Sequence, residues 1–241
     1  MLWNNWKNIT PLERAAIQVV KSAQEVILKT IPKKEIVSIY LGGTFLRREM
    51  MPNSDVDLWV ITKTITGQKR VTKLIKNVQG KFKPPLGLSG YSVWELKRGK
   101  WLKYLCNKPR TAPQRFAKKL HNYKLIYGKK LDPADFAIRT DREDLNIIIA
   151  TFHDQFIPDY QKGTLDFQSI LKQTFWLADL ELCIKGYHPP HSWAKMVELT
   201  PKDHIARTAF LFRTHEPTKH EQTVFMKKLS AYLAYLKGAA K

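Results

Sequence analysis

Cysteine, acidic side chains and long apolar segments are all scarce in this sequence. Only two cysteines occur among the 241 residues, Cys106 and Cys183, so a disulfide scaffold is excluded, and neither lies in a Cys/His spacing suited to zinc. The densest apolar run, Leu145 to Phe152, is far shorter than the roughly 18 residues that span a membrane. The N-terminal stretch contains no continuous apolar segment of the signal-peptide type. We therefore expect a globular, cytoplasmic protein of a reducing compartment, without a membrane partner.

The shortage of acids leaves a strong positive charge. The chain carries 41 Lys and Arg against 21 Asp and Glu, which gives a formal net charge of +20. The imbalance is concentrated between Lys63 and Leu131, where 19 basic residues accompany a single acid, Glu95. This charge predicts a steeply salt-dependent affinity for nucleotides, nucleic acid or other polyanions. The alternative is a lysine-rich surface that is solvated and binds nothing.

A glycine turn follows the first predicted strand. The apolar run from Ile36 to Leu41 has the composition of a strand and ends at Gly42 and Gly43. Two glycines let the backbone approach a phosphate closely, and Thr44 opens a short predicted helix whose first N–H groups suit an anion. The turn is therefore a candidate phosphate-binding site.

Two aspartates stand at the start of the second predicted strand, which runs from Asp55 to Thr62. Because side chains alternate along a strand, Asp55 and Asp57 point to the same face, about 7 Å apart along the chain. Carboxylate oxygens are the ligands that Mg²⁺ prefers. The pair therefore predicts a metal site beside the glycine turn, and the alternative is that the two aspartates cap a turn and a strand.

Turn and aspartates together resemble the signature of the DNA polymerase β-type nucleotidyltransferase superfamily. In that signature a glycine turn is followed about a dozen residues later by Asp-hydrophobic-Asp. Here GGT occupies 42–44 and SDVD occupies 54–57. The sequence departs from the superfamily at Gly43, which stands where a serine is usual, so that the hydroxyl comes one position later on Thr44. The resemblance covers 36–62, and the layout of the whole chain is similar to that of aminoglycoside-type nucleotidyltransferases.

The resemblance implies roles for several residues. Asp55 and Asp57 would bind two Mg²⁺ ions, and Glu95 would be the third carboxylate, as metal ligand or general base. We predict Glu95 on a third strand, Ser89 to Leu96, and its alternative role is a surface ion pair with a neighbouring base. The residues that would hold ATP or another nucleoside triphosphate are Gly42, Gly43, Thr44, Arg47 and Ser54.

The order of predicted elements indicates an α+β protein. Residues 1–131 would form a nucleotidyltransferase domain, a small mixed β-sheet with flanking helices. Residues 132–241 would form a helical bundle. The first helix opens with the capping box of Thr10 and Glu13, and a basic helix is predicted over Pro113 to Tyr127. The helices predicted for the second domain span about 141–156, 165–185, 201–212 and 220–236.

We expect an enzyme that transfers a nucleoside monophosphate, AMP from ATP, to a hydroxyl group by the two-metal in-line mechanism. We favour a small-molecule acceptor over RNA because of the layout that the resemblance implies. A polycationic aminoglycoside would need an acid-rich pocket, which this basic core does not offer. The alternatives are a nucleotidyltransferase acting on RNA or protein, and a non-catalytic module that binds RNA or a protein partner. Asp55 and Asp57, both present, favour the enzyme.

Overall fold

The computed structural model describes residues 2–78, 80–102, 111–190 and 192–239. The chain divides into two compact units, Met1–Ile138 and Arg139–Lys241. This division falls a few residues after the predicted boundary at Leu131. No helix of the described residues is long and apolar enough to cross a membrane.

The first unit is built on one mixed sheet of four strands. They are β1 (Ile36–Gly42), β2 (Val56–Thr62), β3 (Leu86–Ser92) and β4 (Lys124–Gly128). Their order in the sheet is β3-β2-β1-β4. β1 pairs antiparallel with both β2 and β4, whereas β2 and β3 are parallel. The predicted α+β class and mixed sheet are confirmed.

Five α-helices accompany the sheet in the part of this unit that the structure describes. They are α1 (Pro11–Thr30), α2 (Gly43–Arg47), α3 (Ile65–Val78), α4 (Val93–Arg98) and α5 (Pro113–Lys118). The predicted capping box opens α1, since Thr10 Oγ1 accepts from the Glu13 N–H at 3.1 Å and Glu13 Oε2 accepts from the Thr10 N–H at 2.8 Å. These reciprocal bonds satisfy N–H groups that have no partner within the helix.

Helices α1 and α3 cover one side of the sheet, which we call the back face. Its buried strand residues include Ile39, Leu41, Leu58 and Val60. The apolar positions of the two helices recur at helical spacing and pack on these strand residues. Burial of apolar surface here is the main stabilisation of the unit, because it removes a continuous apolar layer from water.

The opposite side, the front face, carries a smaller aromatic cluster. Tyr91 and Phe116 are fully buried there, with ring centroids 4.6 Å apart, and Trp59 stacks on Tyr123 at 4.4 Å. Together with Tyr40 these rings cover only the part of the face that lies beside α4 and α5. This cluster does not include the residues of the front face at the start of β2.

The third strand is shorter than predicted. β3 ends at Ser92, and Val93 to Arg98 form helix α4. The prediction of a strand up to Leu96 is therefore wrong beyond Ser92. The physical reason is a capping box, in which Ser92 is the N-cap and Glu95 is the third helical residue.

The predicted helix over Pro113 to Tyr127 is also wrong in its second half. α5 ends at Lys118, a 3₁₀ turn follows, and Lys124–Gly128 form the edge strand β4. Leu125 packs on the front face, whereas Ile126 and Tyr127 pack on the back face. This segment therefore contributes to both apolar layers of the sheet.

The second unit is helical, as predicted. Its helices are α6 (Asp141–Thr151), α7 (Ile157–Gln161), α8 (Phe167–Ile184), α9 (Trp193–Glu198), α10 (Ile205–Thr214) and α11 (Lys219–Ala239), with a π-helical turn at Phe152–Phe156. The predicted box of Thr140 and Glu143 caps α6. α8 runs through the core and buries Phe167, Ile170 and Phe175.

A buried carboxylate links three of these helices. Glu181 of α8 accepts from Lys185 Nζ at 2.6 Å and from the Tyr232 hydroxyl of α11. His204, the N-cap of α10, places Nε2 3.0 Å from Glu181, and its Nδ1 accepts from the Ala206 N–H, so the proton of the neutral ring lies on Nε2. Burial alone raises the pKa of Glu181, but the three hydrogen bonds outweigh burial and lower that pKa to about 2.

This linkage predicts an acid-sensitive second unit. A carboxyl whose pKa is lower in the folded protein stabilises it above pH 4.5 and loses that contribution as the pH falls towards 2. We expect Glu181 to contribute on the order of 1–3 kcal/mol across this window. Urea unfolding of the wild type and Glu181→Gln at neutral pH and at pH near 3 tests this. The difference between the two proteins should shrink on acidification, and a constant difference would contradict the assignment.

Candidate active site

The front face of the sheet places Asp57 between two glycines. In the strand register Asp57 lies opposite Gly42 of β1 and opposite Gly87 of β3. Residues in register point to the same face, so a side chain at either position would stand beside the carboxylate. Because both neighbours are glycine, neither adds a side chain next to Asp57, and the rings of Trp59 and Tyr123 lie over Gly42.

Gly87 also brings the second aspartate to the same point. A Cβ built on Gly87 would lie 2.8 Å from Asp57 Oδ1 and 3.0 Å from Asp55 Oδ2. Both carboxylates therefore converge over a position that has no side chain. Asp55 itself stands one residue before β2, and the N–H of the next residue, Val56, is bonded to the Pro85 carbonyl at 2.8 Å. The predicted pairing of Asp55 and Asp57 on one face is confirmed.

The glycine turn lies against Asp57 Oδ2, whereas Gly87 lies against Oδ1. Gly43 has a φ of +72°, a left-handed conformation that favours glycine, and a Cβ there would overlap Asp57 Oδ2. Thr44 Oγ1 is buried and has no hydrogen-bond partner among the described residues. A polar atom in this state favours the binding of a further polar group beside it.

Helix α2 follows the glycine turn and anchors it to the back-face core. Phe45 is fully buried and packs on Trp6 with ring centroids 5.2 Å apart. Arg48, the residue after α2, donates to Glu13 of α1 at 2.8 Å and to two backbone carbonyls. This hydrogen bond from Arg48 is the main cause that lowers the pKa of Glu13. The turn is thus fixed to the back-face core and to α1.

Two other predicted nucleotide-binding residues make local contacts. Ser54 Oγ accepts from the Met51 N–H at 2.8 Å and so shapes the loop that leads into Asp55. Arg47 is 5% exposed at its side chain and pairs with Glu49 at 3.0 Å. Their role toward a nucleotide stays a prediction.

Glu95 does not join the two aspartates. Because β2 and β3 are parallel, Asp57 pairs with Gly87 near the start of β3, whereas Glu95 follows the end of that strand. Five residue pairs separate Asp57 from the end of the register, which corresponds to roughly 16 Å. No group of three or more His, Cys, Asp or Glu side chains that could hold a metal ion is found within the described residues. The expected third ligand is therefore absent from the site of Asp55 and Asp57.

The carboxylate of Glu95 has a structural function instead. It is fully buried, and its oxygens accept from the Ser92 N–H at 3.0 Å and from the Leu102 N–H at 3.1 Å. Glu95 thereby caps the N-terminus of α4 and binds the segment that follows this helix through the Leu102 N–H.

We expect Glu95→Ala to lower the free energy of unfolding by about 1–3 kcal/mol, because it leaves buried N–H groups without a partner. Glu95→Gln, which retains one acceptor, should lose less, and Ser92→Ala should lose about 1 kcal/mol. Denaturant unfolding measures these changes, and isothermal titration with ATP and Mg²⁺ measures binding. If a Glu95 variant kept wild-type stability but lost Mg²⁺-dependent binding of ATP, Glu95 would instead be assigned to the metal site.

A cavity of about 830 Å³ lies on the front face beside β4. Its walls include Tyr40, Tyr123, Lys124, Lys130 and Asp132. Tyr123 lies between this wall and the glycine turn in the sense that it contacts both, since its Cδ1 would lie 2.8 Å from a Cβ on Gly42. The volume is in the range of small-molecule pockets.

The arrangement suits a divalent cation and a phosphate chain side by side. Asp55 and Asp57 supply oxygen ligands, which hard cations such as Mg²⁺ prefer, and Gly87 leaves room between them. Gly43 of the glycine turn lies directly beside the carboxylate of Asp57, so a phosphate bound at the turn would be next to the cation.

No protein-family profile and no curated protein matches the sequence. Solved structures do match, and one of them is spectinomycin adenyltransferase AAD(9) from Enterococcus faecialis with ATP and spectinomycin. It aligns with a TM-score of 0.55 and 15% sequence identity, over 90% of this chain and 99% of that one. The two chains share a fold. The expected similarity in layout to aminoglycoside-type nucleotidyltransferases is therefore confirmed at the level of the fold.

Within this fold, sequence reasoning missed Gly87, Trp59 and Tyr123. Gly87 matters because it pairs with Asp57 in the sheet. That pairing depends on the parallel arrangement of β2 and β3, which no local sequence pattern predicts. Trp59 follows Asp57 by two residues, so its position on the same face was available from strand alternation.

Proposed function

We propose that this protein is a Mg²⁺-dependent nucleotidyltransferase that transfers AMP from ATP to a hydroxyl group of a small-molecule acceptor. The observation that carries the proposal is the convergence of Asp55 and Asp57 over Gly87, next to the turn at Gly42 and Gly43. The matching structure is that of an adenyltransferase with ATP and spectinomycin, which supports ATP as donor and a small molecule as acceptor.

The reaction is an in-line displacement at the α-phosphorus of ATP. The acceptor oxygen forms a bond to that phosphorus, the bond to the bridging oxygen breaks, pyrophosphate leaves, and the hydroxyl proton is released. Bound Mg²⁺ would neutralise charge on the transferring phosphoryl group and on the leaving pyrophosphate. Asp55 and Asp57 would hold two Mg²⁺ ions at the start of β2. The pairing of β2 with β1 and β3 fixes the backbone that carries the two carboxylates.

The glycine turn would hold the leaving phosphates. Gly42 and Gly43 let the backbone come close to them, and Thr44 Oγ1, without a partner among the described residues, would donate to a phosphate oxygen. Arg47 and Ser54 are proposed to support this region from the helix and the loop on either side.

The cavity beside β4 supports a small acceptor because its volume suits one. Lys124 and Lys130 lie on its wall together with one acid, Asp132. This mixture of charges favours an acceptor that is not strongly cationic.

Pyrophosphate release from ATP tests the function. We expect release that requires both Mg²⁺ and an acceptor, when aminocyclitols, neutral polyols and RNA are offered separately. The control is Asp57→Asn under the same conditions. Release that persists in EDTA, or that is equal for the variant, would contradict the proposal.

A second candidate function is a non-catalytic module that binds nucleic acid. The observation in its favour is the run of basic residues from Lys63 to Leu131. Binding of RNA without any pyrophosphate release, whichever acceptor is offered, would favour it.

A further inference from the structure

Helix α3 presents a continuous basic surface to solvent. Its exposed positions include Lys69, Arg70, Lys73 and Lys76, which we call the α3 cationic face. At about 100° per residue these four positions fall within roughly one third of the helix circumference. The charges therefore form one ridge on the molecule.

The neighbouring chain extends this charge. Lys63, Lys81 and Lys83 are also exposed, and the sequence contains no acid between Lys63 and Lys83. Glu35 lies at the start of the helix, where it accepts from Thr64 Oγ1 at 2.6 Å. Seven basic residues thus lie between Lys63 and Lys83 with no acid among them in the sequence.

The ridge is held rigidly. Val71, Leu74 and Val78 are buried against the back face, and Gln68 Nε2 donates to the Gly90 carbonyl of β3 at 2.7 Å. A side chain at Gly90 would collide with Val71 Cγ1, so the helix sits directly on the strand. The basic side chains therefore project from a fixed surface, which lowers the entropy lost when a partner binds.

This ridge lies on the other side of the sheet from the carboxylates. α3 packs on the back face, whereas Asp57 points to the front face with its neighbours Gly42 and Gly87. A polyanion that lies along α3 does not reach the reacting atoms. The α3 cationic face is therefore separate from the proposed transfer reaction.

We propose that the α3 cationic face docks the phosphate backbone of RNA, independently of sequence. An anionic membrane is the other polyanion of this kind, but a membrane-surface helix inserts an apolar face into the lipid. The apolar positions of α3 are used against the sheet, and its exposed positions are all polar: Thr66, Lys69, Arg70, Lys73, Lys76 and Asn77. Phosphate contacts by Lys and Arg need no apolar insertion.

The test compares two variants of the full chain with equal loss of charge. The first is Arg70→Gln, Lys73→Gln and Lys76→Gln on α3. The matched control is Lys219→Gln, Lys227→Gln and Lys228→Gln on α11, where the three lysines are also exposed. Glutamine keeps helix propensity close to that of the residues it replaces, so both variants should fold.

Binding of a short RNA duplex of arbitrary sequence is measured by fluorescence anisotropy across a salt series. For the α3 variant we expect affinity to fall at least about tenfold at low salt, and the slope of log K against log salt to decrease by about 2 to 3. The α11 variant should stay close to wild type. Pyrophosphate release should be the same in all three proteins.

Three outcomes would overturn the proposal. Equal losses in the two variants would show that net charge acts diffusely, and unchanged affinity in the α3 variant would show that RNA binds elsewhere. A greater loss of binding to phosphatidylserine vesicles than to RNA would assign the surface to membranes. Circular dichroism at the assay temperature confirms that each variant is folded.

Discussion

Replacing Asp57 with Asn will lower the rate of nucleotidyl transfer about 100-fold or more, because several kcal/mol of transition-state stabilisation depend on the metal it would hold. Asp55→Asn should have a similar effect, since both carboxylates converge over Gly87. The measurement is steady-state pyrophosphate release together with the thermal shift produced by ATP and Mg²⁺.

The same substitutions should not destabilise the protein. Two carboxylates that converge on one point repel each other, so removing one negative charge relieves that repulsion. The melting temperature without nucleotide should therefore be unchanged or slightly higher, while the shift produced by ATP with Mg²⁺ is lost. A variant that keeps more than about a tenth of wild-type turnover would contradict the metal assignment.

Gly87→Ala should also lower the proposed transfer activity. Its Cβ would lie 2.8 Å from Asp57 Oδ1 and 3.0 Å from Asp55 Oδ2, within the space between the two carboxylates. A methyl group there displaces the oxygens or fills the position that a cation needs, and we expect turnover to fall at least about tenfold, or 1.4 kcal/mol. Activity and the apparent affinity for Mg²⁺ are measured together.

The matched control is Gly238→Ala. Gly238 lies in α11, and a Cβ there meets no atom within 4 Å. Turnover of this variant should equal that of the wild type. A Gly87→Ala variant with normal turnover and normal Mg²⁺ dependence would show that the space over Gly87 is not used.

The centre of the site was predictable because its signals are local. Strand alternation places Asp55 and Asp57 on one face from their spacing alone. Gly43 needs a left-handed conformation at the end of a strand, and glycine is the residue that adopts it.

The two errors in the predicted elements have different causes. The alternation around Tyr91 suits a strand, but Ser92 and Glu95 also have the spacing of a capping box, and the helix forms. Phe116, Leu120 and Tyr123 recur at helical spacing, yet β1 has an open edge that pairs with β4 instead. Tertiary pairing decided the second case, and sequence periodicity does not contain it.

The parts that escaped prediction are long-range. The role of Gly87 requires that β3 lies parallel to β2 in one register, which the α3 crossover determines. The helix predicted over about 201–212 begins at Ile205, and its N-cap is His204, whose ring also bonds Glu181.

The contrast between the two faces of the sheet has a consequence for how this protein tolerates mutation. Glycine in a strand costs roughly 0.5–1 kcal/mol relative to alanine, so Gly42 and Gly87 weaken the sheet where the chemistry is proposed. The buried layer under α1 and α3 offsets that loss from the other side. We therefore expect substitutions that raise stability to be tolerated beneath α1, and substitutions on the glycine-flanked side to change the proposed chemistry.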